Sequence, residues 1–343
     1  MTIAQATRLS PFSSFRRLPV ARRRGRTGRA AFAGLSGLWL LLLAAQGLSP
    51  ADALELDPAR DRALALLNAD RSEQNLPPLQ FDPALNAAAQ RHADDMLQRD
   101  YYAHTSPEGD DVQDRFVSAG GSRWRLVAEN IARCAECGPT LSADIIRRLQ
   151  RGWMDSPQHR ANILRRGIDR FGFGIAVGDR PGLYAVQTFA GPGRPRGLSE
   201  GEEPGALSPD ELADGMLERL NRLREDGGRD RIKGSTVLDA LARSLLPDSD
   251  SGSDGLERAN DLYARLPEGE RRHWRSLGVL KAACGGCGAR ETEADLRFFH
   301  RQWIERSGDQ RRLLDPGLTH AGFALEPDGS GRKTAILVLG TAR

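Results

Sequence analysis

Trp153-Met154-Asp155-Ser156-Pro157-Gln158-His159-Arg160-Ala161-Asn162-Ile163-Leu164 is the stretch on which the rest of the chain turns. Ser156 followed by Pro157 is a helix-start signal. A serine side chain at the N-cap can accept from free backbone N–H groups, and proline at the first helical position loses no hydrogen bond. His159 then falls in the first turn, where its ring can point into a cleft. Asn162 and Ile163 lie three and four residues further on, so one face of a short helix carries polar and apolar groups together. Taken alone, the stretch also reads as a capped helix with an exposed histidine.

Two upstream stretches weigh against that plainer reading: Tyr102-Ala103-His104-Thr105-Ser106-Pro107-Glu108-Gly109 and Ala128-Glu129-Asn130-Ile131. In this order and at these separations, the three resemble the CAP superfamily of cysteine-rich secretory, antigen 5 and pathogenesis-related proteins. The match is to the bacterial branch, with H-x-S-P-[DE]-G, then G-E-N-I, then W-x-x-S-P-x-H-R-x-N-I-L. Here Ala128 replaces the glycine of the second motif, and the resemblance runs from about Leu56 to Gly191. It implies an α+β fold, an α-β-α sandwich. It also implies a central cavity with two histidines and two glutamates, which holds a divalent metal in some members. His104, Glu129 and His159 match three of those four positions; the fourth falls on Ser156.

Two imidazoles and a carboxylate from separated segments are the ligand set of many open zinc or iron sites. Without metal, the same trio can act as general acid and base, or can form a buried network that staples helices together. Ser106, Asn130, Asp155, Ser156 and Asn162 are the candidates to support the cavity. The expected cofactor is a divalent metal such as zinc, or none.

The remaining pattern supplies a scaffold. Pro58 to Gln74 reads as a helix with Ala63, Leu64 and Leu67 on its apolar side. Asp82-Pro83 starts a second, in which Leu85, Ala88, Ala89, His92, Ala93 and Met96 share a stripe. His92 on that stripe reads as a core or helix-flank residue. A further helix is expected over Asp111 to Gly120, and Glu129-Asn130 at the end of a polar connection. Leu141 to Met154 has Ile145, Ile146, Leu149 and Trp153 spaced for one helix face. Phe171 to Val177 and Leu183 to Phe189 alternate as strands, joined as a hairpin through Gly178 to Gly182.

Beyond a Gly/Pro/Glu-rich linker at 192–207, the chain repeats itself. Cys134, Cys137, Trp153, Leu164, Gly172 and Phe173 recur 150 positions later as Cys284, Cys287, Trp303, Leu314, Gly322 and Phe323. Upstream the offset is 153: Leu67-Asn68 matches Leu220-Asn221, Leu79 matches Ile232 and Leu85 matches Leu238. The expected organisation is therefore a first domain over 54–191 and a degenerate copy over 208–343. That copy has lost the polar groups: Glu129 becomes Val279, Asn130 Leu280, His159 Asp309 and Asn162 Arg312. The segment matching His104, Pro247 to Gly255, has no histidine.

Residues 1–53 read as a secretory signal: a basic region from Arg8 to Arg29, an apolar stretch from Ala30 to Ala45, and small residues at Ala51-Asp52-Ala53. The apolar core is short for a retained anchor. Without this segment, 41 basic residues face 45 acidic ones, a net charge of −4, so nothing electrostatic favours nucleic acid or an anionic membrane. Export to a periplasmic or extracellular compartment favours local disulfides, Cys134–Cys137 and Cys284–Cys287. The rival is one zinc site built from all four thiolates. Three functions follow as expectations. The first is a non-enzymatic envelope binding module for a small molecule, lipid or envelope component. The others are a metal-assisted hydrolase of peptide or glycan, and a structural protein that meets a protein partner through its second half.

Overall fold

A computed structural model describes residues 7–8, 55–137, 140–178, 182–199, 201–247 and 262–343. Apart from residues 7 and 8, the signal segment lies outside the described residues, as do most of Pro247 to Gly255 and the hairpin tip between Gly178 and Gly182.

The first half runs β1 (Thr7–Arg8), α1 (Leu56–Glu73), β2 (Gln80–Phe81), α2 (Pro83–Gln98), α3 (Val112–Ser118), β3 (Leu126–Cys134), α4 (Ala143–Asp155), α5 (Pro157–Ile163), β4 (Arg170–Gly178) and β5 (Gly182–Gly191). Its sheet has the order β1-β3-β5-β4-β2, with β3 and β4 antiparallel to β5. Asp82 caps α2 by accepting from the N–H groups of Ala84 and Leu85, with Pro83 in the first turn. The predicted stripe from Leu85 to Met96 is buried throughout.

Helices cover both faces of the sheet, which makes the α+β sandwich. On one face α1 and α4 bury Ala63, Leu67, Leu149 and Trp153 against Phe171, Phe173 and Phe189. On the other, α2 sets Ala89, Ala93 and Met96 against Ile131, Tyr184 and Val186. Only glycine admits α2 this close: a Cβ on Gly172 would sit 2.3 Å from the backbone of Leu85.

The second half follows the same order: α6 (Pro209–Asp226), β6 (Lys233–Gly234), α7 (Thr236–Ser244), a 3-10 turn (Arg271–His273), β7 (Trp274–Cys284), α8 (Glu293–Glu305), α9 (Ser307–Leu313), β8 (His320–Pro327) and β9 (Lys333–Ala342). Its sheet order is β6-β8-β9-β7. Glu129 pairs with Thr188 and Phe173 with Gln187 in the first sheet; Val279 pairs with Val338 and Phe323 with Leu337 in the second.

Buried polar devices also coincide. Arg71 donates to the carbonyls of Pro77 (3.0 Å), Ile163 (2.7 Å) and Arg165 (3.1 Å), pinning α1 to the end of α5. Arg224 donates likewise to Asp230 (2.8 Å), Leu313 (2.6 Å) and Asp315 (3.0 Å). Asn68 bridges the backbone of Leu79 by two hydrogen bonds, and Asn221 does the same for Ile232. Trp153 meets Phe173 edge-on at 6.5 Å, and Trp303 meets Phe323 edge-on at 6.2 Å.

The cysteines close two local disulfides, Cys134–Cys137 and Cys284–Cys287, with Cα separations of 5.5 and 6.1 Å. A four-thiolate zinc site is therefore ruled out, because each thiol is bonded to the neighbour three residues away.

Two expectations about local structure need correction. Glu129 and Asn130 lie in the middle of β3, not at the end of a polar connection. The strand hides from a polarity reading because its central polar residues are buried against specific partners. Ser156 does occupy the N-cap of α5, but its side chain makes no capping hydrogen bond; its carbonyl instead accepts from the Arg160 N–H at 2.8 Å.

Candidate functional site

Successive side chains on a strand point to opposite faces, so β3 sends Glu129 and Asn130 to different sides of the sheet. Each enters its own polar cluster.

On the α2 side, Glu129 is fully buried and held by three neighbours. His104, from the loop after α2, lies 2.8 Å from Glu129 Oε1 through Nδ1. Arg115 of α3 donates from Nη2 to Glu129 Oε2 at 2.8 Å and to the His104 carbonyl at 2.9 Å. His92 of α2 places Nε2 3.9 Å from Glu129 Oε1 and 3.0 Å from the Ala103 carbonyl. The capping box of Asp111 and Asp114 starts α3 and so aims Arg115 inward.

Burial pushes the Glu129 carboxyl up, but the His104 hydrogen bond and the charges of Arg115 and the histidines outweigh it and hold the group below the usual carboxylate range. An ionised carboxylate only accepts, so His104 carries its proton on Nδ1 and donates. The other ring nitrogen, Nε2, takes no part in this pair. Among the described residues, that nitrogen is buried and has no hydrogen-bond partner. Burial is the leading cause holding His92 below its ordinary value, with Arg115 adding to it against the pull of Glu129.

On the opposite side, Asn130 donates from Nδ2 to the His159 carbonyl (3.1 Å) and to Gln187 Oε1 (3.0 Å). Asn162 donates to the Glu129 carbonyl (3.1 Å) and to Asn130 Oδ1 (3.0 Å). Gln187 passes the chain to Gln150 (2.8 Å), and Gln150 to Asp70 (2.6 Å). Partners for the buried amides fasten α5, α4 and α1 to the sheet. His159 is buried, not exposed on a capped helix, and its carbonyl is part of this fastening.

Two expected supporters stand apart. Ser106 organises its own turn, accepting from the Asp110 N–H at 3.1 Å. Asp155 is exposed at the end of α4, lining a shallow surface groove with Pro157 and Arg160.

Arg115 and His92 are the residues that sequence reasoning missed. Arg115 sits in no motif, and only the packing of α3 against β3 brings it to Glu129. His92 was visible as a histidine on an apolar stripe, but its closeness to Glu129 depends on sheet and helix meeting.

Among the described residues, no group of three His, Cys, Asp or Glu side chains is arranged to hold a metal ion. Both Glu129 oxygens are engaged, one of them by a guanidinium whose charge opposes a dication. The donor set does not fit a metal.

The family model for the cysteine-rich secretory protein family, CAP, matches residues 64–189. The uncharacterized protein YkwD of Bacillus subtilis strain 168 is 33% identical over 130 residues, covering 38% of this chain and 46% of that protein. The uncharacterized membrane protein YlbC of the same strain is 29% identical over 126 residues, covering 37% and 32%. A solved extracellular protein containing a SCP domain, from Bacillus anthracis strain Ames, is 30% identical, covering 39% of this chain and 40% of that one, with a TM-score of 0.32. The chain thus spans less than half the length of each of these relatives. Motifs, fold and family match coincide on one segment: residues 64–189 are a CAP domain.

Proposed function

We propose that this chain is an exported binding protein. Its first half presents the His104–Glu129–Arg115 cluster to an envelope component, and its second half is a degenerate copy of the same domain that serves as a structural partner. The observation that carries the binding reading is His104 Nε2, which is buried and, among the described residues, without a hydrogen-bond partner while Nδ1 is held by Glu129. A buried polar atom without a partner costs free energy, which a ligand supplying a hydroxyl or amide N–H recovers. Glycan and peptide fragments of the envelope carry such donors.

Export is supported by the leader-like first 53 residues, by the disulfides, and by a relative described as extracellular. Among the described residues, no helix is long and apolar enough to cross a membrane. The copy reading is supported by the shared element order, strand register and buried arginine. In the second half the polar cluster gives way to hydrocarbon, with Leu280 and Leu337 buried where Asn130 and Gln187 stand.

The test is an NMR titration of the mature protein with peptidoglycan-derived glycan and peptide fragments, following the His104 ring nitrogens. A shift at Nε2 that is abolished in His104→Ala, without turnover of the fragment, is the expected result. Fragments that bind wild type and His104→Ala alike would remove the site from this reading. Chelator-sensitive cleavage lost in Glu129→Gln would replace it with a metal-assisted hydrolase.

A further inference from the structure

The second half contains a cavity that the first half fills with its own side chains. Arg60, Phe81 and Phe171 of the first half correspond to Ala213, Gly234 and Ala321 of the second, by the offsets that align α1 with α6, β2 with β6 and β4 with β8. In the first half, Arg60 crosses this space and donates from Nε to the Phe173 carbonyl at 3.1 Å. The rings of Phe81 and Phe171 pack beside it with centroids 6.2 Å apart. All three large side chains are trimmed in the second half. What is left is a cavity of about 310 Å³, at the lower end of the range for small-ligand sites.

The cavity wall is suited to a particular group. Asp214, Ser235, Thr236 and Asp239 supply its polar side, and Phe323 and Leu337 its apolar side. Asp239 accepts from the Phe323 N–H at 2.8 Å, as Asn86 accepts from the Phe173 N–H at 2.9 Å. Phe323 is thus set in the same orientation as Phe173. Its carbonyl corresponds to the Phe173 carbonyl that accepts from Arg60 in the first half. Where that half has neutral Asn86, this one has the carboxylate of Asp239, with Asp214 on the same wall. A carbonyl and two carboxylates around an apolar-floored cavity recognise a cation on a short hydrocarbon stem.

We infer that this cavity binds a guanidinium group carried on a short apolar chain, seated as Arg60 is seated in the first half. The inference is independent of the His104 cluster, which lies in the other half. Two sources share this chemistry: a free alkylguanidine and the arginine side chain of a peptide.

The experiment is calorimetry and amide NMR on the full mature chain. Three probes separate the possibilities: butylguanidinium, its uncharged near-isostere butylurea, and N-acetyl-arginine-N-methylamide. Butylguanidinium is expected to bind at least about tenfold more tightly than butylurea, as a charge-assisted hydrogen bond requires, with shifts at Ala321 and Phe323. Comparable binding of the arginine amide would assign a peptide source, and its exclusion a free small molecule.

Ala213→Arg, which restores the first half's own residue, is expected to abolish binding. Asp239→Asn keeps an acceptor for the Phe323 N–H, as Asn86 does, and is expected to weaken binding about tenfold; it carries the test if Ala213→Arg fails to fold. Equal affinity for butylurea, or wild-type binding in both variants, would overturn the assignment.

Discussion

Glu129 is a buried carboxylate whose ionised state depends on its neighbours. Removing one partner of a buried, hydrogen-bonded ion pair leaves an uncompensated charge. Arg115→Ala is therefore expected to cost roughly 3–5 kcal/mol in a denaturant titration. Replacing both partners with Glu129→Gln and Arg115→Met together should cost less than the sum of the single changes. The same geometry bears on metals. Arg115→Gln is expected to raise zinc affinity above that of wild type in a competition titration, and unchanged affinity would show that the guanidinium is not what opposes the ion. Acid sensitivity follows from two depressed groups. The folded pKa of His92 lies below its ordinary value of 6.5, so the unfolded chain binds the extra proton first. Its contribution is complete above about pH 6.5 and is lost as pH falls toward the folded pKa. Glu129, depressed below 4.5, adds a loss further down, as pH falls through its own folded pKa. Stability should drop below pH 6.5 by up to about 1.4 kcal/mol per pH unit for each proton, and His92→Gln should remove the upper part of that slope.

Helices in both halves are anchored by an arginine that donates to carbonyls at a neighbouring helix end. Arg71→Met and Arg224→Met each take a donor from three carbonyls, of which that of Asp315 keeps the Leu318 N–H at 3.2 Å, with an expected cost of about 1–3 kcal/mol per group left unpaired. Parallel losses in the two variants would mark one scaffold device used twice; a loss in only one would mean that the second half is held by other means. The disulfides belong to the same level. Each closes a loop of only three intervening steps, so Cys134→Ser with Cys137→Ser is expected to cost about 2 kcal/mol or less, without loss of fold. Short α5 shows how an element can be foreseen while its cause is misjudged. Ser156-Pro157 starts the helix where expected, yet what holds it is Asn162 on β3 and Arg71 on its last carbonyls, not the serine hydroxyl.

The two halves meet along the first residues of the linker. Gly286 donates to the Trp124 carbonyl at 2.7 Å, Gly288 to the Pro192 carbonyl at 2.7 Å, and Arg332 lies 4.6 Å over the Trp124 ring. Gly193 bridges to Cys287 with a φ of +80°, and a Cβ there would stand 2.0 Å from the Gly286 carbonyl oxygen. A side chain at this point faces both a strained backbone and a backbone clash. Gly193→Ala is therefore expected to loosen the halves. Faster proteolysis within 192–207, with the heat signal of each half retained, would show it. An unchanged digestion pattern would mean that the remaining contacts suffice.

Much of this is legible in the sequence alone. Motifs spaced from His104 to Leu164 specified the family fold, because capping, proline placement and apolar period are local properties of the chain. The 150- and 153-residue offsets align residues in elements that follow a parallel order in the two halves. The partners of the site residues were not legible. Glu129 and Asn130 are neighbours in the chain, but the strand pleat sends one to His104 and Arg115 and the other to Gln187 and Asn162. Which arginine reaches a carboxylate, and which cavity opens when Arg60 becomes Ala213, depends on atoms brought together across the sheet. Such contacts arise from packing between distant segments, and periodicity along one segment carries no record of them.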